Sequence, residues 1–180
     1  MLTWLTERGR VQRTATELYG SIVTQSREPA FYLVSGVADT IDGRYGLLVL
    51  HMWLTLGRLR DEGPAAAGVA QALLEAFIAD MDDNMREIGV GDLSVPRKVK
   101  KAAAGLYDRG RAYDAALAEG DGDALARSIA LHMDAPPGWP GAADLAAYVH
   151  RARARLAATP VSAVLAGQLT FPPPVLTDSP

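Results

Sequence analysis

The stretch DTIDGRYGLLVLHMWLTLGRLRDEGP, residues 39–64, decides the fold. Asp39 and Thr40 offer side-chain oxygens that cap a helix start, and Gly63-Pro64 stops the helix that follows. Between these signals the apolar run from Tyr45 to Leu56 holds no Asp, Glu, Lys or Arg and is about a dozen residues long. A bilayer-spanning helix needs roughly 20 such residues, so the run predicts a buried core helix and not a membrane anchor.

At about 100° per residue, Thr40, Arg44, His51, Thr55, Arg58 and Glu62 fall along one side of that helix. Such a stripe is either the solvent edge of a core helix or a polar seam turned toward a groove or partner. Asp39, Asp42, Arg44, His51 and Arg58 are its candidate partner-binding residues. His51 is expected to be satisfied inside the seam by Arg44, Thr55 or Glu62. A rival reading places it as a haem or quinone ligand in a pocket against Tyr45, Met52 and Trp53.

Outward from this helix the same period continues. Val11, Ala15, Leu18, Ile22 and Val23 give an amphipathic helix over Arg10 to Ser26, broken by Pro29. Ala65 to Ile88 predicts another, with Leu74, Ile78, Met81 and Met85 on its core face and Gly89 and Gly91 at its end. After Asp92-Leu93-Ser94, the stripe Val99, Ala103, Leu106, Gly110, Tyr113 and Leu117 is the cleanest in the chain. Helices over Asp123 to Leu131, Ala143 to Ala158 and Thr159 to about Leu169 follow. Pro172-Pro173-Pro174 forbids helix beyond them and predicts a tail, 171–180, lying over the surface. No strand alternation or internal repeat occurs, so the expectation is an all-α single domain, 1–180, of about seven irregularly packed helices.

With 180 residues, 49% of them hydrophobic, the chain can bury one sufficient core. The absence of cysteine removes disulfides, thiolate chemistry and iron–sulfur ligation. A net charge of −3 gives no overall pull toward DNA. Met1 to Arg13 lacks the apolar stretch and cleavage site of a secretory leader, so export is not expected.

Two charged clusters stand out. Asp80, Asp83, Asn84 and Glu87 share one face near a helix C-terminus, where carboxylates oppose the dipole and one another. Asp82 and Arg86 form an i,i+4 pair on a different face. The Asp80-x-Asp82-x-Asn84 start resembles a calcium loop, but Met85 and Gly91 stand where that loop needs glycine and glutamate. The face is therefore a solvated edge or a surface for a basic partner. Arg97, Lys98, Lys100 and Lys101, with Arg111 beyond them, crowd the start of the next helix and are available to lipid headgroups, RNA phosphate or an acidic protein. Tyr107 and Tyr113 are the aromatics beside them, which does not support base stacking. No Glu lies three residues before a histidine, and neither a phosphate-cradling loop nor a nucleophile elbow is present.

The segments 39–45 (DTIDGRY), 51–59 (HMWLTLGRL), 80–93 (DMDDNMREIGVGDL) and 110–117 (GRAYDAAL) resemble, in this order, the ubiquinol–cytochrome c chaperone family of cytochrome bc1 assembly factors. The resemblance spans about Phe31 to Leu117 and is closest to the bacterial branch. It implies a non-catalytic protein that binds newly made cytochrome b, in the cytoplasm or peripherally on the inner face of the inner membrane. It also implies possible association with a ribosome or a small partner subunit, and no catalytic residue, cofactor or metal.

Overall fold

A computed structural model describes residues 2–174, and the described residues form helices and connecting turns without a strand. In chain order these are α1 (Leu2–Ser26), α2 (Pro29–Leu33), α3 (Ile41–Asp61), a 3-10 turn (Gly63–Ala66), α4 (Ala67–Glu87), α5 (Val95–Ala118), α6 (Gly122–His132), α7 (Gly141–Ala158) and α8 (Val161–Leu165). The all-α class read from the sequence is the class observed.

Helix α3 is the axis of the molecule. Every residue from Gly46 to Thr55 is buried, and a helix apolar on all sides must be enclosed on all sides. Helices α1, α4, α5 and α7 each pack against it, while α1 meets α4, α4 meets α5, α5 meets α6 and α6 meets α7. The outer helices thus follow one another around α3, and a single buried cluster draws on Leu18, Leu50, Phe77, Tyr113, Ile129, Tyr148 and Val164. Leu47, Leu50 and Met52 are fully buried, each contributing about 1.5–3 kcal/mol of transfer free energy.

The ends of α3 follow the sequence signals. Thr40 caps it, its Oγ1 accepting the Gly43 N–H at 3.1 Å. Gly43 has no Cβ because the Ala38 carbonyl occupies that space. At the far end Gly63 takes φ 64°, a left-handed conformation that turns the chain into Pro64.

Three boundaries or faces differ from the sequence reading. Helix α1 begins at Leu2, since nothing between Leu2 and Arg10 breaks a helix. Helix α8 stops at Leu165 and not near Leu169; the chain turns at Gly167, φ 79°. The core face of α4 is Val69, Ala72, Leu73, Phe77 and Met81, whereas Ile78 is exposed and Leu74 and Met85 half-buried. The rotation follows from α4 meeting α1, α3 and α5 together, so its face is centred on the larger Phe77. The tail is also more than a surface strand: Leu169 and Pro174 are buried and Phe171 meets His51 edge-on at 5.0 Å between ring centres. Residues 175–180 of the expected tail lie outside the described residues.

Candidate partner-binding surfaces

The polar stripe of α3 does not form one seam. At its head, Arg44 Nε donates to Asp39 Oδ1 at 2.6 Å, with both side chains exposed, and the guanidinium holds the Asp39 carboxyl below the usual carboxylate range. Asp42 is exposed beside them. One turn on, Tyr45 donates its hydroxyl to the Ala102 carbonyl at 2.7 Å and lies under the Arg109 guanidinium, 4.8 Å from the ring centre. This contact fixes α3 to α5.

In the middle of the stripe His51 is fully buried. Its Nδ1 is 2.7 Å from the Leu47 carbonyl, which can only accept, so Nδ1 carries the proton. Nε2 then accepts the Tyr148 hydroxyl at 2.8 Å. Tyr148 in turn accepts from Gln25 Nε2 at 3.2 Å, and the same amide donates to the Pro172 carbonyl at 3.0 Å. One hydrogen-bonded path therefore joins α1, α3, α7 and the C-terminal segment. Burial lowers the His51 pKa to about 4, keeping the ring neutral, and raises that of Tyr148. The partners expected for His51 were Arg44, Thr55 or Glu62; the structure supplies Leu47 and Tyr148 instead, while Thr55 Oγ1 donates to the His51 carbonyl at 2.9 Å. With one nitrogen donating and the other accepting, neither is open to a haem iron. Two surface grooves, one between α1 and residues 166–171 and one between α3, α5 and α7, do not include His51 in their walls.

At the far end Arg58 is also engaged internally. Nε donates to the Leu156 carbonyl at 2.8 Å, Nη2 to the Thr159 carbonyl at 3.0 Å, and Nη1 pairs with Glu62. These carbonyls lie at the C-terminal end of α7, where helix acceptors are left over; that of Leu156 also accepts the Thr159 N–H at 3.1 Å. Trp53, on the same helix, donates Nε1 to Asp114 Oδ1 of α5 at 3.0 Å.

The acidic face divides in two. Asp80 is half-buried and accepts the Tyr19 hydroxyl at 2.8 Å, tying α4 to α1; burial and that bond raise the Tyr19 pKa. Asp83, Asn84 and Glu87 are exposed, with Asn84 Nδ2 bonded to the Asp80 carbonyl. Arg86 bridges Asp82 at 2.6 Å and Asp92 at 2.7 Å, so the i,i+4 pair of the sequence reading is present. Arg97, Lys98, Lys100 and Lys101 are all exposed, while Arg111 pairs with Asp108 at 2.6 Å. Among the described residues no three His, Asp or Glu side chains converge as metal ligands, and no helix is long and apolar enough to cross a membrane.

Several participants gave no local signal in the sequence. Tyr148, Gln25 and Tyr19 are ordinary helix positions until the tertiary packing brings them to His51 and Asp80. The exposed Leu33, Val34 and Ile41 around the α2–α3 turn, and Leu93 at the α4–α5 turn, are apolar residues whose exposure only the fold reveals.

These features define a small helical protein organised around a buried axial helix, with unpaired charges and a few large apolar residues such as Leu33 and Leu93 on the outside. The sequence pattern of the ubiquinol–cytochrome C chaperones matches residues 34–171, so the chain belongs to that family. The match reaches well past Leu117, through α6, α7 and Phe171, segments that contribute to the same core. The crystal structure of the Cbp3 homolog from Brucella abortus superposes with a TM-score of 0.84 at 35% identity, covering 97% of this chain and 98% of that one. Ubiquinol-cytochrome c reductase complex assembly factor 1 of Mus musculus is 20% identical over 112 residues, 62% of this chain but only 38% of the mouse protein.

Proposed function

We propose that the chain is a non-catalytic chaperone that binds newly made cytochrome b and promotes assembly of the cytochrome bc1 complex. The observation that carries this reading is the family match across 34–171, supported by end-to-end likeness to the Cbp3 homolog structure. It fits the internal use of the motif residues, since His51 and Arg58 are both bonded inside the fold.

The contact surface, in this reading, is built from what remains exposed. Asp83, Asn84 and Glu87 form its acidic part and Asp39, Asp42 and Arg44 its part at the head of α3. His51, Arg58 and Asp80 act on it only through the fold. The protein would meet its client from the cytoplasmic side of the inner membrane. Affinity isolation of the tagged chain from a membrane-containing lysate, with cytochrome b probed among the captured proteins, tests the assignment. Enrichment of cytochrome b that falls when Asp83 and Glu87 are both changed to amides is expected. Recovery of cytochrome b no higher than with an unrelated tagged protein would reject it.

A further inference from the structure

The turn between α4 and α5 combines two properties that one kind of surface satisfies together. Leu93 is 100% exposed and Ile88 61% exposed, which puts two large aliphatic side chains in solvent within six positions of one turn. Directly after them α5 opens with Arg97, Lys98, Lys100 and Lys101, all exposed and none in an ion pair. At about 100° per residue the four cations lie opposite the buried side of α5 marked by Leu106, Gly110 and Tyr113. Beyond the first two turns that outer side changes character, with Ala104 exposed and Arg111 matched to Asp108. On α5 the free positive charge is thus confined to the turns beside Leu93.

The carboxylates nearby do not cancel it. Asp92 and Asp82 are both taken by Arg86, and Asp80 is turned to Tyr19 of α1. Asp83 and Glu87 remain exposed on α4, the arm that also carries Ile88, and set two carboxylates against the four cations of α5.

We propose that the α4–α5 tip docks on the surface of an anionic lipid bilayer, with Leu93 and Ile88 entering the acyl boundary and Arg97, Lys98, Lys100 and Lys101 facing lipid phosphates. Charge complementarity selects an anionic partner. The aliphatic pair selects lipid over RNA, which offers phosphate but no apolar layer and would favour aromatic stacking. Attraction of this kind adds roughly fivefold in partitioning per cation near an anionic surface and fades beyond a Debye length of about 8 Å at physiological salt. The inference does not depend on what client the protein binds.

The test is cosedimentation of the full chain with phosphatidylcholine vesicles, with and without a quarter of phosphatidylglycerol, and separately with poly(U). The parent is expected to sediment with the anionic vesicles and not the neutral ones. Lys98→Gln with Lys101→Gln should reduce that binding by an order of magnitude or more. Leu93→Ser should reduce it several-fold while leaving its salt dependence unchanged, and circular dichroism melts should match the parent because all three residues are exposed. No recovery with anionic vesicles, equal recovery with neutral ones, or full binding by Leu93→Ser would each overturn the proposal. So would tighter binding to poly(U) that ignores Leu93, which would make the patch an RNA site.

Discussion

His51 Nε2 accepts a hydrogen bond from the Tyr148 hydroxyl at 2.8 Å, joining the central helix to one 97 residues later in the chain. The bond is buried at both ends, and Tyr148 also meets Phe31 edge-on with ring centres 5.0 Å apart. Replacing Tyr148 by Phe keeps the ring contacts but leaves the Nε2 lone pair without a donor. Urea unfolding should show a loss of about 1–3 kcal/mol, the penalty for a buried unsatisfied acceptor. Unchanged stability would mean that water reaches the histidine in solution.

The same histidine sets a pH dependence. Burial holds its folded pKa at about 4, below the ordinary 6.5. Between those values the unfolded chain takes up a proton that the folded chain does not. Stability from this group is therefore fully present above pH 6.5 and is lost as pH falls towards 4, by about 3 kcal/mol at the lower limit. His51→Gln starts from lower stability at neutral pH, since the amide cannot reproduce both bonds, but should lack this part of the slope. Parallel urea titrations of parent and variant between pH 4 and 7.5 measure the difference.

The fold class, the position of α3 and its caps were legible in the sequence because they rest on local chemistry. Thr40, Gly63-Pro64 and the apolar run act on their own neighbours, and no distant contact is needed to interpret them. The candidate surfaces were less legible. A stripe of polar residues on one side of α3 looks like a seam, yet His51 and Arg58 turn inward because Tyr148 and the end of α7 meet them, and no local pattern announces that encounter. The same limit applies to Asp80, whose partner Tyr19 is 61 residues away.

That placement separates the carboxylates of the acidic face by function. Asp83→Asn and Glu87→Gln relieve like charge near a helix C-terminus and should leave the thermal midpoint equal or slightly higher. Asp80→Ala removes the acceptor of Tyr19 and should cost about 1.5–3 kcal/mol, the range for a hydrogen bond to a charged group. Tyr19→Phe should lower stability in the same direction, and the double variant should lose less than the sum. Thermal melts of the four proteins decide whether the pair is coupled.

Gly43 offers a steric test of the α3 start. An added Cβ would meet the Ala38 carbonyl, a backbone atom in a turn already bonded to the Thr40 N–H, so relief would require moving the cap itself. Gly43→Ala should destabilise by about 1–3 kcal/mol despite alanine's better helix propensity. Gly57→Ala, on the same helix with only the tip of Arg60 near the new Cβ, should be neutral or stabilising. Chemical denaturation of the two variants provides the comparison.

Arg58 poses the sharpest test of whether the motif from His51 to Leu59 builds the fold or touches a partner. Its side chain is only 9% exposed, and its guanidinium satisfies two carbonyls at the end of α7, Leu156 at 2.8 Å and Thr159 at 3.0 Å, while pairing with Glu62. A planar fork can reach these acceptors together; an ammonium on a flexible stem cannot. Arg58→Ala should therefore lose about 3 kcal/mol or more, because Glu62 is left without its partner, the Thr159 carbonyl loses its donor and the Leu156 carbonyl keeps only the Thr159 N–H. Arg58→Lys should recover only part of it. If Arg58 works through the fold, client capture by Arg58→Lys, measured at a temperature where the variant is fully folded, should equal that of the parent. A folded variant that captures no client would instead place this residue in the contact surface.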